Sequence, residues 1–128
     1  KVAAHGMSSL VSLIDAQERA RVGVPDLPQR ARAAGLAWHE WPIVDLSVPD
    51  AGRSGAFEAL LDDLSRMLDD GQGIAIHCRA GLGRSGLVAA SLLVRRGVMP
   101  ANAIQTVRNC RPGAIETADQ EAFITSRR

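Results

Sequence analysis

The residues best suited to chemistry are contiguous: His77-Cys78-Arg79-Ala80-Gly81-Leu82-Gly83-Arg84-Ser85. A thiol attacks phosphorus well only as its thiolate. Cys78 stands after a strand-like run and before a helix-like one, where loop N–H groups and the helix dipole favour negative charge. Five residues, Arg79, Ala80, Gly81, Leu82 and Gly83, separate Cys78 from Arg84. Gly81 and Gly83 permit backbone conformations that turn successive amides inward around an oxyanion, so the five form a candidate phosphate-binding nest. Arg84 adds a planar fork of donors for two phosphoryl oxygens, and these contacts tighten as charge redistributes in a transition state. Ser85 is placed to donate a hydrogen bond to the Cys78 sulfur and help it leave a covalent intermediate. His77 suits positioning of the loop better than proton transfer. For Arg79 a solvated side chain and a substrate-facing charge remain equally open.

The elements that must hold this loop are short and alternate in type. Residues 10–14 and 36–43 read as buried strands, and 73–77 as a third that runs straight into the motif. Phe57, Leu60, Leu61, Leu64, Met67 and Leu68 recur at helical spacing, with Asp62, Asp63, Arg66, Asp69 and Asp70 on the other side and Gly71 as a stop. The acidic positions between 58 and 70 read as the solvated face of that helix. Residues 85–96 are apolar nearly all round, which predicts a helix buried against the sheet with Gly97 as its C-cap. Further helices are predicted over 100–109, with Pro100 at the start, and over 117–126, where Thr117 and Gln120 have capping-box spacing. The fold class is therefore α/β, with a mostly parallel central sheet flanked by helices. Residues 1–6 read as the end of a helix, which leaves open a further strand upstream.

Composition narrows the functional classes. A length of 128 residues without repeat, low-complexity tract or long linker gives one domain over 1–128. A net charge of +1 implies no general polyanion-binding surface, and two phenylalanines with no tyrosine argue against stacking platforms for single-stranded nucleic acid. The longest apolar run, 86–94, falls far short of the ~20 residues that cross a bilayer, and the start lacks a charged-then-apolar signal pattern. A cytoplasmic setting and no membrane partner are expected. Cys78 and Cys110 build neither a disulfide framework nor a zinc site, so a reducing compartment, no metal and no cofactor are expected. Cys110 reads as a small half-buried residue rather than a redox partner of Cys78. Trp38, His39 and Trp41 read as sheet packing rather than a pocket rim. Asp15 and Glu18 border the site or form a solvated turn or structural ion pair; the second is the simpler reading. A monomer is the default.

The stretch from His77 through Ser85 resembles the signature of the protein tyrosine phosphatase superfamily, and its Cys-x-Ala-Gly-Leu-Gly-Arg-Ser form resembles the dual-specificity branch. Trp41-Pro42-Ile43-Val44-Asp45 and Arg111-Pro112-Gly113-Ala114-Ile115-Glu116-Thr117, followed by Gln120, resemble bacterial and eukaryotic relatives of the cyclin-dependent-kinase-associated phosphatase. The resemblance implies a catalytic domain, N-terminally incomplete, that hydrolyses phosphate monoesters through a cysteinyl-phosphate. Phosphotyrosine in protein or peptide is the implied substrate, with phosphoserine and phosphothreonine admitted by a shallow pocket; lipid, nucleotide and RNA phosphates stay open.

Such chemistry needs a carboxylic acid to protonate the leaving oxygen, and in this superfamily an upstream aspartate supplies it. Asp45 and Asp50 both qualify. The resemblance selects Asp45, whereas Asp50, after Pro49 and before a helix, is equally explained as an N-cap. It also implies that Gln120 helps position the attacking water, although a polar residue in a first helical turn needs no such role. Two rivals remain. A sulfurtransferase of the rhodanese kind has a loop one residue shorter, and a non-catalytic phosphate-binding module would not need Cys78, Arg84 and Asp45 together.

Overall fold

The computed structural model describes residues 7–43, 49, 51–78 and 83–127. The elements run β1 (Met7–Ser12), α1 (Ala16–Arg21), α2 (Leu27–Ala33), β2 (Ala37–Glu40), α3 (Ser54–Asp69), β3 (Gly73–His77), α4 (Gly83–Arg95), α5 (Pro100–Cys110) and α6 (Ala118–Thr125), with a 3-10 turn over Ala51–Arg53 before α3. The three strands form a parallel sheet in the order β2-β1-β3. The chain leaves β1 toward β2 on one side and returns to β3 on the other. In α/β sheets such a reversal marks the place where ligands bind, here the carboxyl ends of β1 and β3.

Strand alternation assigns the faces. Leu10 is in register with Trp38 and Ala75, and these pack with Ala31, Leu36 and Leu27 beneath α2. Val11 belongs to the opposite face, where Phe57, Leu60, Leu61 and Leu64 of α3 meet Leu87, Val88 and Leu92 of α4. The aromatic rings of Trp41 and Phe57 lie 5.3 Å apart and those of Phe57 and Phe123 5.6 Å apart, which ties the end of the β2 run to α3 and α6. The packing role read for the tryptophans therefore holds for Trp41, over which Arg53 stacks at 3.7 Å.

Differences from the sequence reading have local causes. The first strand is shifted toward the N-terminus, because the Asp15 side chain caps α1 by accepting a hydrogen bond from Glu18 N at 2.8 Å and turns the chain away. Leu13 and Ile14 stay fully buried beyond the strand end. The second strand stops at Glu40, although Trp41 N and Ile43 N still donate to Ser12 O and Leu13 O at 2.8 and 3.0 Å. Pro42 between them has no N–H to give. Helices α1 and α2, of six and seven residues, have no counterpart in the sequence reading, since two turns or fewer give too little periodicity. The acidic face of α3 is not simply solvated. Glu58 pairs with Arg95 and Arg127, Asp62 with Arg95, and Asp69 with Arg96, so the face is stitched to α4 and to the chain after α6. Cys110 is exposed rather than half-buried. The helix end read over residues 1–6 lies outside the described residues. Among the described residues no helix is long and apolar enough to cross a membrane.

Helix α4 is the hub. Ten of its residues, including Gly83, Arg84, Ser85 and Gly86, are buried. Gly71 and Gly97 take the left-handed backbone that ends α3 and α4, at φ of 79° and 100°. Among the described residues one non-glycine does the same: Ile115 has φ 59°, a strained value for a β-branched side chain. Its carbonyl and that of Ala114 accept hydrogen bonds from Arg108 at 2.9 and 3.1 Å, which hold the strained turn against the first turns of α4.

A Cβ on Gly86 would lie 3.0 Å from Ile115 N and 3.1 Å from Ala114 Cβ, whereas one on Gly55, in the exposed start of α3, would meet nothing within 4 Å. Replacing glycine by alanine within a helix ordinarily stabilises by up to about 1 kcal/mol. Gly55→Ala should therefore stabilise or be neutral, while Gly86→Ala should cost about 1–3 kcal/mol through overpacking. Denaturant melts of the two variants test this; stabilisation by Gly86→Ala would contradict the packing described.

Candidate functional site

Cys78 is the first residue after β3 and is 4% exposed, joined to the core between sheet and α4. The strand before it is held in place from the side: His77 O accepts a hydrogen bond from Leu13 N at 2.8 Å. The His77 ring is half-buried and its Nε2 has no hydrogen-bond partner among the described residues. Burial, and then the positive charges of Arg19 and Arg84, hold the imidazole below its ordinary value of 6.5, with Glu18 opposing. The lowered value favours a neutral ring at the strand end.

Arg84 lies in the first turn of α4 and is 2% exposed. Its guanidinium is gripped by Glu18, with Nη1 donating to Oε1 at 2.9 Å and Nη2 to Oε2 at 2.8 Å, and Nη1 also donates to Ile43 O at 3.0 Å. The fork is thus oriented from two elements at once, α1 and the end of the β2 run. The hydrogen bond from Arg84 is the main reason that the Glu18 carboxyl sits below its ordinary value of 4.5; burial opposes, and the charges of Arg84 and Arg21 add to the lowering. The ion-pair reading of Glu18 is met, and its partner is the motif arginine. Asp15 is met as the cap of the same helix. Sequence offered one signal for this pair, the Asp15-x-x-Glu18 spacing of a helix start; the contact across 66 positions had none.

A second buried arginine borders the site. Arg19 donates to Ile14 O at 2.8 Å, pairs with Glu40 at 3.0 Å and lies 5.2 Å above the Trp38 ring. It was not singled out in the sequence, where it reads as one charge among several.

Ser85 is 8% exposed, and its hydroxyl has no hydrogen-bond partner among the described residues. The hydrogen bond to the Cys78 sulfur that the sequence suggested is therefore not made in this structure. Gly83 needs a different explanation from the one its sequence suggested. It is the first residue of α4 and is not among the positive-φ glycines. A side chain there would collide with Glu116 Oε1 and come within 3.1 Å of Gln120 Oε1, so crowding rather than backbone freedom calls for glycine.

Gln120 is fully buried. Its N accepts the role of the α6 capping box by donating to Thr117 Oγ1 at 3.1 Å, while its Oε1 accepts from Glu116 N at 2.8 Å and Thr117 N at 3.2 Å. The capping reading is met, and the residue stands beside the first residue of α4. Asp45 and Asp50, and Arg79, Ala80, Gly81 and Leu82 of the nest, lie outside the described residues. The structure therefore brings Cys78, Arg84, Ser85, Gly83, His77 and Gln120 around one strand-to-helix junction, and adds Glu18 to them.

This arrangement has close relatives. A family model described as "Polymorphic toxin system, DSP-PTPase phosphatase" matches residues 1–98. Over 110 residues the chain is 36% identical to Cyclin-dependent kinase inhibitor 3 of Rattus norvegicus, covering 84% of this chain and 50% of that protein. It is 34% identical over 85 residues to a probable protein tyrosine phosphatase type IVA A of Dictyostelium discoideum, covering 66% and 50%. The chain spans about half the length of these curated relatives. Among solved structures, kinase associated phosphatase with its catalytic-site cysteine replaced by serine superposes with a TM-score of 0.86 at 29% identity, covering 96% of this chain and 69% of that one. Tk-PTP in its active form superposes with a TM-score of 0.79 at 27% identity, covering 98% and 83%. With three quarters of its length matched by that family model, the chain belongs to the DSP-PTPase phosphatases of polymorphic toxin systems.

Proposed function

We propose that this chain is a cysteine-dependent phosphatase that hydrolyses phosphate monoesters, phosphotyrosine together with phosphoserine and phosphothreonine in proteins, through a cysteinyl-phosphate. The observation that carries the reading is the oriented, buried guanidinium of Arg84 at the start of α4, across a five-residue loop from the thiol of Cys78. Relatives named as protein tyrosine phosphatases, and a kinase associated phosphatase whose catalytic site contains a cysteine, support it. We read residues 1–128 as one catalytic domain, the phosphatase part of the toxin system its family names. Its place of action is the reducing cytoplasm, because the Cys78 thiolate must stay unoxidised to react.

In the first step the Cys78 sulfur attacks phosphorus in line. The S–P bond forms as the ester P–O bond breaks, and a carboxylic acid gives its proton to the leaving oxygen. Asp45 is assigned as that acid, with Asp50 as the alternative. The amides of Arg79, Ala80, Gly81, Leu82 and Gly83 and the fork of Arg84 bind the equatorial oxygens as their charge redistributes. In the second step water attacks phosphorus, loses a proton to the same carboxylate and displaces the sulfur, which the Ser85 hydroxyl stabilises by a hydrogen bond. Gln120 positions that water and His77 holds the loop. Backbone dipoles and a guanidinium supply the positive potential that the reaction needs, so no cofactor enters the scheme.

Hydrolysis of an aryl phosphate should persist in chelator and be lost in Cys78→Ser; undiminished activity in that variant would sink the proposal. Asp45→Ala should lose more activity on an alkyl phosphate, a poor leaving group, than on an activated aryl phosphate. A larger differential loss in Asp50→Ala would move the acid to Asp50.

Glu18→Gln keeps the size of the side chain and removes the charge that aims Arg84. The expected result is a fall in kcat/KM of about 10–100-fold, the scale set by misplacing a transition-state contact. Because the folded-state value of Glu18 is lowered, its contribution to stability is full above its ordinary value of 4.5 and is lost as pH falls through the lowered one. The stability gap between the parent and Glu18→Gln should therefore close on acidification, as pH-dependent denaturation would measure. A gap independent of pH would deny the charge its role.

A further inference from the structure

The phosphate site has a carboxylate at its rim that nothing in the reaction uses. Glu116 follows the strained Ile115 and is fixed at its backbone from both sides, by the Arg108 bond to Ile115 O at 2.9 Å and by its own N–H donating to Gln120 Oε1 at 2.8 Å. Its side chain reaches the first residue of α4 so closely that a Cβ on Gly83 would strike Oε1. Gly83 is the residue immediately before Arg84, at the end of the phosphate-binding segment. Yet Glu116 is exposed, and among the described residues no hydrogen bond or ion pair reaches its carboxylate. Glu18, by contrast, has its charge satisfied by Arg84, and Glu121 of α6 has its charge satisfied by Arg108 at 3.0 Å. Glu116 is thus a negative charge on an anchored backbone beside the first residue of α4, with no partner for its carboxylate among the described residues.

Such a charge works against any substrate that brings further negative groups next to the reacting phosphate, and for one that brings positive groups. Building on the phosphatase reading above, we infer that Glu116 is a specificity residue that selects phosphopeptides with lysine or arginine adjoining the phosphorylated residue. Phosphate esters that carry additional phosphates close by are disfavoured by the same charge. The backbone is part of the device: Arg108, Gln120 and the Ile115 turn anchor the segment from which the carboxylate springs, so the charge stays within side-chain reach of the start of α4. Interactions of this kind between exposed charges a few ångströms apart discriminate by about 3–10-fold and are weakened by salt.

The test uses two phosphotyrosine peptides identical but for lysine or glutamate on either side of the phosphorylated residue, and compares kcat/KM for the pair within each protein. That ratio is unaffected by partial unfolding or by a general change in activity. The 128-residue chain should favour the lysine peptide by about 3–10-fold at low salt, with the preference shrinking as salt is added. Glu116→Gln should bring the ratio close to one, and Glu116→Lys should invert it. A ratio unchanged in Glu116→Gln would overturn the inference, as would a higher kcat/KM on phosphoinositide vesicles than on either peptide. Absence of any Cys78-dependent hydrolysis in the parent protein would instead overturn the phosphatase reading. Cys78-dependent hydrolysis that is indifferent to flanking charge would leave that reading standing and remove only Glu116 from it.

Discussion

A buried guanidinium cannot be left alone, and most of the site follows from satisfying the one on Arg84. Removing a charge from water costs several kcal/mol, which is recovered only by an opposing charge in good geometry and by hydrogen bonds to the remaining donors. Glu18 supplies the first as a two-point grip and Ile43 O the second. Each partner comes from a different part of the sheet. Glu18 is carried by α1, which begins where β1 ends, and Ile43 lies at the end of the β2 run, itself hydrogen-bonded to Leu13. The order β2-β1-β3 places these three carboxyl ends side by side, so the topology that brings Cys78 there also brings the groups that aim the arginine. A guanidinium oriented beforehand need not reorganise when charge develops on a phosphoryl group, and this is how a protein gains from electrostatic stabilisation.

The other side of the junction is built by steric fit. Gly83 and Gly86 allow the turn after α5 to press against the first turns of α4, with Glu116 and Gln120 over one glycine and Ala114 and Ile115 over the other. That approach demands an unfavourable backbone at Ile115, and Arg108 bonds two successive carbonyls to keep it there. Strain of this sort persists only where its surroundings over-determine it. Here it fixes the backbone that borders the phosphate-binding segment, including that of Glu116, whose carboxylate has no partner among the described residues. Positive charge inside the site and negative charge at its rim give the two regions separate tasks, binding the phosphoryl group and sorting what is attached to it.

The central part of this design was legible in the chain. β3 matched its apolar run residue for residue because Gly73 and the motif bound it on either side, and α3, α5 and α6 matched because each has a sustained period or a distinct start. Thr117 and Gln120 form the capping box that their spacing promised. What was not legible is of two kinds. The short helices α1 and α2 give fewer than two periods, and the ends of β1 and β2 are set by tertiary hydrogen bonds rather than by composition. The pairing of Glu18 with Arg84, the exposure of Cys110 and the crowding at Gly83 depend on which residues folding brings together from distant positions. Sequence fixes the type of such a residue and leaves its neighbour open.

The central claim is that phosphate passes through a covalent bond to the Cys78 sulfur. Rapid acid quenching during turnover of an aryl phosphate, followed by peptide mapping in a mass spectrometer, measures it directly. One phosphate is expected on the peptide that contains Cys78, formed and lost at rates fast enough to support steady-state turnover. Phosphate found on another residue, or turnover without any phosphorylated peptide in a quench fast enough to catch it, would contradict it.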